Sequence, residues 1–185
     1  MATPLHILGF SGSLRKASFN TSLLRAASEL LPVGLTQETY DLSSLPLYNE
    51  DLKINGYPKI VQDFRNRIAA ADALLIATPE YNYSFPGVLK NAIDWASRPP
   101  DPPLFRKPVA IMGASPGPFG TVRGQLHLRQ VCVCVNMLPL NKPEVLVMSA
   151  QEKFDTQGRL IDEPTRAYIR DLLIALEAWI FQLRK

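Results

Sequence analysis

Short apolar runs alternate with amphipathic stretches along the whole chain. Residues 5–10, LHILGF, form a nearly continuous apolar run of strand length. Leu23, Leu24, Ala27, Leu30 and Leu31 then recur at helical spacing. Residues 34–42, GLTQETYDL, read as a strand with alternating polar positions, and a loop rich in Pro, Asn and Asp follows over 43–57. A helix is expected from about Pro58, with Val61, Phe64 and Ile68 on one face and the proline in the first turn. Residues 71–79, ADALLIATP, form a central buried strand that Pro79 stops. A helix over 84–97 with Ser84 as N-cap and a fourth strand over 107–115 come next. Leu128, Val131, Cys132 and Val135 mark another helix, and residues 143–148 a fifth strand. A last helix, about 164–183, is expected to bury Ile169, Leu172, Leu173, Leu176, Ile180 and Leu183.

Five strands alternating with five helices predict a parallel sheet with helices on both faces, a three-layer α/β/α sandwich. The doubly wound strand order 2-1-3-4-5 fits this length and strand count. Nothing repeats, and the Pro-rich stretches read as surface loops, so one domain is expected over residues 1–185.

Composition narrows the function. The chain is 46% hydrophobic and 20% charged, an ordinary globular balance. Its net charge of +3 comes from scattered Lys and Arg, which argues against a nucleic-acid groove. Cys132 and Cys134 are too close for an ordinary disulfide and lack CxxC spacing; as reduced residues on different sides of a helix they suit the cytoplasm. The N-terminus lacks a basic region, and no apolar stretch approaches the roughly 18 residues of a membrane span, so no membrane partner is expected.

In an open parallel sheet the strand-to-helix loops emerge at one edge, where ligands bind. Three unusual loops of this chain meet there. The first, SGSLRKASFN (11–20), supplies Ser11, Ser13, Arg15, Lys16, Ser18 and Asn20 just before a helix expected near Thr21. A helix start is already electropositive, yet the first acid is Glu29, so this start calls for an external anion such as phosphate. Neither GxGxxG after the first strand nor GxxxxGK[ST] is present. The second loop, PEYNYSFPG (79–87), begins with Pro79, Glu80, Tyr81, Asn82 and Tyr83 and suits a flat heteroaromatic ligand. The third, SPGPFGTVRG (115–124), has Gly117 and Gly120 for close backbone approach and donors on Ser115 and Arg123. An anion site, an aromatic wall and a close-approach loop together describe a site for FMN.

These segments, with KPVAIMGAS and GQLHLRQV, resemble the NAD(P)H-dependent FMN reductase family, above all its bacterial quinone reductase (chromate reductase) branch, over about residues 5–150. The resemblance implies a flavodoxin-like fold, bound FMN, and NADPH or NADH as hydride donor to a quinone or similar acceptor. It assigns the phosphate loop to Ser11, Ser13, Leu14, Arg15, Lys16, Ser18, Phe19 and Asn20, the flavin-facing loop to Glu80, Tyr81, Asn82 and Tyr83, and a further contact to Ser115. Where the family often has Gly-Gly, this chain has Gly120-Thr121. A homodimer or homotetramer is implied, with Arg129 and Glu144 as candidate contacts. If FMN is bound, the flavin carries the chemistry: no protein nucleophile is required, His6 and His127 are read as structural, and Lys90 and Asp94 as a helix-surface pair. Two other readings stay open, an FMN-binding electron carrier without reductase turnover and a flavin-free domain for another phosphorylated ligand.

Overall fold

The computed structural model describes residues 3–184. Six strands form one sheet: β1 (Leu5–Ser11), β2 (Leu35–Tyr40), β3 (Ala73–Ala77), β4 (Pro108–Ala114), β5 (Leu138–Pro139) and β6 (Val145–Val147). Five helices connect and cover them: α1 (Phe19–Glu29), α2 (Lys59–Ala70), α3 (Gly87–Ala96), α4 (Val122–Cys134) and α5 (Glu163–Leu183). Every pairing is parallel and the order is β2-β1-β3-β4, with both β5 and β6 beside β4. This is the flavodoxin-like order, with its reversal at β1 and β3.

The edge differs from the single strand expected over 143–148. β5 pairs with Pro108 and Val109, and β6 with Met112 to Ala114. Pro139 in β5 and Pro143 in the connection to β6 offer no N–H to a ladder, so the edge position is divided between two short pieces.

Alternate residues of the central strands enter two separate cores. Ile7, Leu75, Met112 and Ala114 pack with Leu23, Leu24 and Ala27 of α1 and Ile169, Leu172, Leu173, Leu176 and Ile180 of α5. Leu8, Phe10, Leu74, Ile76 and Ile111 pack with Val61, Phe64 and Ile68 of α2, Trp95 of α3, and Leu128 and Cys132 of α4. This period-two division is why the strands read as continuous apolar runs: both faces are covered. Leu183, at the end of α5, is only half-buried. Cys132 is buried, which pushes its thiol up to about 12, whereas Cys134 is exposed.

The strand ends are tied together by buried polar side chains. α1 begins at Phe19, two residues before Thr21, because extended Ser18 caps it by accepting from the Thr21 N–H at 3.3 Å. Asn20, expected among the anion donors, has its amide engaged elsewhere. Its Nδ2 donates to the Ala114 carbonyl at 3.0 Å and its Oδ1 accepts from the Ala114 N–H at 2.9 Å, all of it buried. The side chain therefore joins the start of α1 to the last residue of β4 and fixes the distance between the first and third loops. Gly113, one residue earlier, has no room for a Cβ, which would overlap Thr121 Oγ1 and the Thr78 carbonyl.

Asn20→Ala leaves a buried N–H and C=O of Ala114 without partners and is expected to cost about 2 kcal/mol. Urea unfolding measures this; a loss below about 0.5 kcal/mol would contradict this link between α1 and β4.

Candidate cofactor and active site

The first loop is built by serines that fold it back on itself. Gly12 continues the sheet by donating to the Ala77 carbonyl at 2.9 Å. Ser11 Oγ accepts from the Ser13 N–H at 3.1 Å, and Ser13 Oγ from the Arg15 N–H at 3.4 Å. Leu14, Arg15 and Lys16 are exposed, and the Arg15 guanidinium lies 5.1 Å from the ring of Phe19, which itself packs on Phe154 at 5.3 Å. α1 has no acid in its first turn, and among the described residues no acceptor meets the N–H groups of Phe19 and Asn20. Such a start, with two cations and two hydroxyls beside it, has the chemistry of a phosphate cradle. The loop also borders a cavity of about 390 Å³ whose one acid, Asp41, is occupied with the N–H and hydroxyl of Ser43.

The second loop is a two-residue hairpin. Tyr81 and Ser84 exchange backbone hydrogen bonds of 2.8 and 2.9 Å, and Asn82 and Tyr83 both take left-handed conformations, φ 50 and 66. This is a type I′ turn, which suits Asn but strains Tyr. Ser84 is thus a hairpin residue and not the N-cap of α3, which starts at Gly87 after Pro86. Tyr81 and Tyr83 are 52% and 66% exposed, so neither ring packs beneath the loop. They stand as a wall.

Glu80 is the least expected residue. Its side chain is 8% exposed and accepts three N–H groups: Arg123 N at 2.9 Å, Gly124 N at 3.1 Å and Arg123 Nε at 2.5 Å. It caps α4 from the neighbouring loop, where Thr121 supplies no side-chain cap of its own. The Arg123 guanidinium is also 3.9 Å from the centroid of the Tyr83 ring and 4.3 Å from that of Phe119.

The third loop leaves β4 with Ser115, whose N–H bonds the Val147 carbonyl and whose Oγ accepts from the Gly117 N–H at 3.1 Å. A Cβ on Gly117 would meet little, so this glycine leaves the backbone open to a ligand. Gly120 (φ +52) answers a different need: a Cβ there would come within 2.7 Å of the Leu146 backbone, so its bare side faces β6. Thr121 also takes a left-handed conformation, φ 73, and its Oγ1 accepts from buried Gln125, which bonds the Val145 carbonyl as well. Glu80, Asn82, Tyr83, Ser115, Gly117 and Arg123 line one cavity of about 380 Å³. A planar ring there and a phosphate at α1 are the two ends of FMN, and the donor set fits that cofactor.

Other candidates contribute nothing to this edge. A cavity of about 510 Å³ beside α2 holds buried Arg65, but its two Nη atoms are satisfied by the carbonyls of Trp95, Ala96, Pro100 and Asp101. His6 lies by Glu38 at 3.5 Å, His127 Nδ1 is 3.2 Å from Ser84 Oγ, and Lys90 pairs with Asp94 at 2.8 Å as the spacing predicts. Arg129 donates to the Leu140 carbonyl and Glu144 pairs with Lys142. Arg123 is the donor that the third loop offers in the sequence, whereas Phe119 is a site residue the sequence does not single out. The only signal for Phe119 is its position in the third loop.

Glu80→Ala removes a helix cap and strands a partly buried guanidinium, with an expected cost of about 3 kcal/mol. Equilibrium unfolding tests this, and a loss under about 1 kcal/mol would contradict the cap.

Comparison with known proteins agrees with this geometry. The family model for NADPH-dependent FMN reductase matches residues 5–152. An NAD(P)H-dependent FMN reductase of Pseudomonas aeruginosa is 55% identical over 184 residues, covering 100% of both chains. A quinone reductase of Escherichia coli (strain K12) is 40% identical over 187 residues, again covering 100% of both. The solved structure of FerB, a flavoenzyme NAD(P)H:(acceptor) oxidoreductase from Paracoccus denitrificans, superposes with a TM-score of 0.88 at 34% identity, over 96% of this chain and 98% of that one. The chain belongs to the NADPH-dependent FMN reductase family and is an FMN-dependent NAD(P)H oxidoreductase.

Proposed function

We propose that this chain, as a single domain, takes hydride from NADPH or NADH and passes the electrons to a quinone or similar small acceptor, the two substrates using one pocket in turn. The observation that carries this reading is the bond pair by which Asn20 ties the acid-free start of α1 to Ala114, next to Ser115 on the wall of the cavity between the second and third loops. FMN, when bound, supplies a ring that accepts and releases electron pairs. The chain supplies everything else. Ser11, Ser13, Arg15, Lys16 and the first N–H groups of α1 hold the phosphate, with Ser18 and Asn20 fixing the helix start behind them. Asn82 and Tyr83 wall the ring, with exposed Tyr81 beside them in the hairpin, and Ser115 with Gly117 admits its polar edge to the backbone. No side chain has to act as a nucleophile, and neither histidine lines that cavity.

Quinones are the preferred acceptors, in keeping with the quinone reductase relative; azo compounds, metal oxyanions and free flavin have the same planar or anionic character. We place the protein in the cytoplasm as a homodimer or homotetramer without a membrane or nucleic-acid partner. No helix of the described residues is long and apolar enough to cross a membrane, and Leu126 and Val133 on α4 are 52% and 78% exposed, an apolar strip suited to a second copy. An FMN-binding electron carrier is the weaker reading, because docking of such carriers relies on strong acidity and this chain carries +3.

The test is the visible spectrum of purified protein before and after anaerobic NADPH. Bleaching that reverses on adding a quinone is expected. Yellow protein that NADPH does not bleach would favour the electron carrier, and protein that takes up no FMN would overturn the cofactor.

A further inference from the structure

Arg123 is held in an unusual way for a cation beside a ligand cavity. Glu80 engages its Nε and its backbone N–H, but among the described residues neither Nη atom has a hydrogen-bond acceptor. The same guanidinium lies against the rings of Tyr83 and Phe119, which hold it in place without competing for its donors. It lines the cavity of about 380 Å³ together with Asn82, Ser115 and Gly117. The only other charged side chain on that wall is Glu80, whose carboxylate is already shared among three N–H groups. Arginine does not give up its proton, so the free Nη edge is a permanent cationic donor on the cavity wall.

What this edge serves follows from the charge change in the cavity. Hydride transfer to an isoalloxazine adds two electrons and one proton, and so leaves one negative charge on a ring that was neutral. Resting on the FMN reading above, we infer that Arg123 stabilises the reduced flavin over the oxidised one and thereby raises the reduction potential of the bound cofactor. Glu80, Tyr83 and Phe119 act through Arg123 as positioning residues. The strained conformation of Tyr83 fits this role, because glycine in that turn would relieve the strain and lose the ring that braces the guanidinium.

The test measures the midpoint potential of the FMN-loaded protein, wild type against Arg123→Gln and Arg123→Lys, across a range of pH. Arg123→Gln is expected to weaken the preference for reduced over oxidised FMN about tenfold, which is a fall of about 30 mV for a two-electron couple. Arg123→Lys keeps the charge but loses the fork and is expected to fall between the two. The pH at which the reduced flavin gains its second proton is expected to be lower with Arg123 and higher in Arg123→Gln, since the cation favours the anion. Equal potentials in wild type and Arg123→Gln, both holding FMN, would overturn the inference. So would an unchanged potential with a raised KM for NADPH alone, since the edge would then belong to the donor's phosphate. If Arg123→Gln does not retain flavin, the comparison of wild type with Arg123→Lys decides, and equal potentials there overturn it as well. Wild-type protein that takes up no FMN would overturn the cofactor reading, and this inference with it.

Discussion

One buried carboxylate organises the ligand edge of this protein. Glu80 leaves the end of β3 and reaches the first N–H groups of α4, so the second loop and the third cannot move independently. A lone carboxylate at this depth would be costly; three donors within 3.1 Å make the burial tolerable. The same bonds aim Arg123, and through it the rings of Tyr83 and Phe119. Asn20 makes the matching link between the first loop and the third by gripping Ala114 at both backbone groups. Three loops are thus joined by two side chains, and the cavity between the second and third is walled by residues these bonds hold.

Two helix starts on this edge are treated in opposite ways. α4 receives an acid from within the chain, and its positive end is satisfied internally. α1 receives none: Ser18 takes the Thr21 N–H, those of Phe19 and Asn20 are left, and Arg15 and Lys16 add charge of the same sign. An open electropositive start and a closed one, joined through β4, divide the site into an anion end and a ring end. That division is what a mononucleotide with an attached flat ring requires.

Much of this was legible in the sequence. Period-two and helical patterns place the strands and helices, because strands such as β3 and β4 are covered on both faces and leave little room for polar residues. The three loops are visible as well, since Ser, Asn, Tyr and Gly at strand ends build no core. Partners are harder to read than inventories. Asn20 and Glu80 look like ligand contacts in one dimension, yet Asn20 is taken up by the backbone of Ala114, 94 residues away, and Glu80 by Arg123 and Gly124, 43 and 44 residues away. Ser84 resembles a cap until Tyr81 is seen pairing with it. The divided edge was hidden because Leu138–Pro139 is too short to carry any periodicity. In each case the deciding contact is tertiary.

The division into an anion end and a ring end is tested most directly by comparing the affinities of the purified protein for FMN and for riboflavin, which differ by the phosphate alone. Two charge-assisted hydrogen bonds to that phosphate, at roughly 1.5 kcal/mol each, correspond to about a hundredfold tighter binding of FMN. Fluorescence titration of the apoprotein with each flavin gives the ratio. A ratio near that size, collapsing in Arg15→Ala, is the expected result. Equal affinity for the two flavins would contradict the phosphate cradle at α1 and the arrangement built upon it.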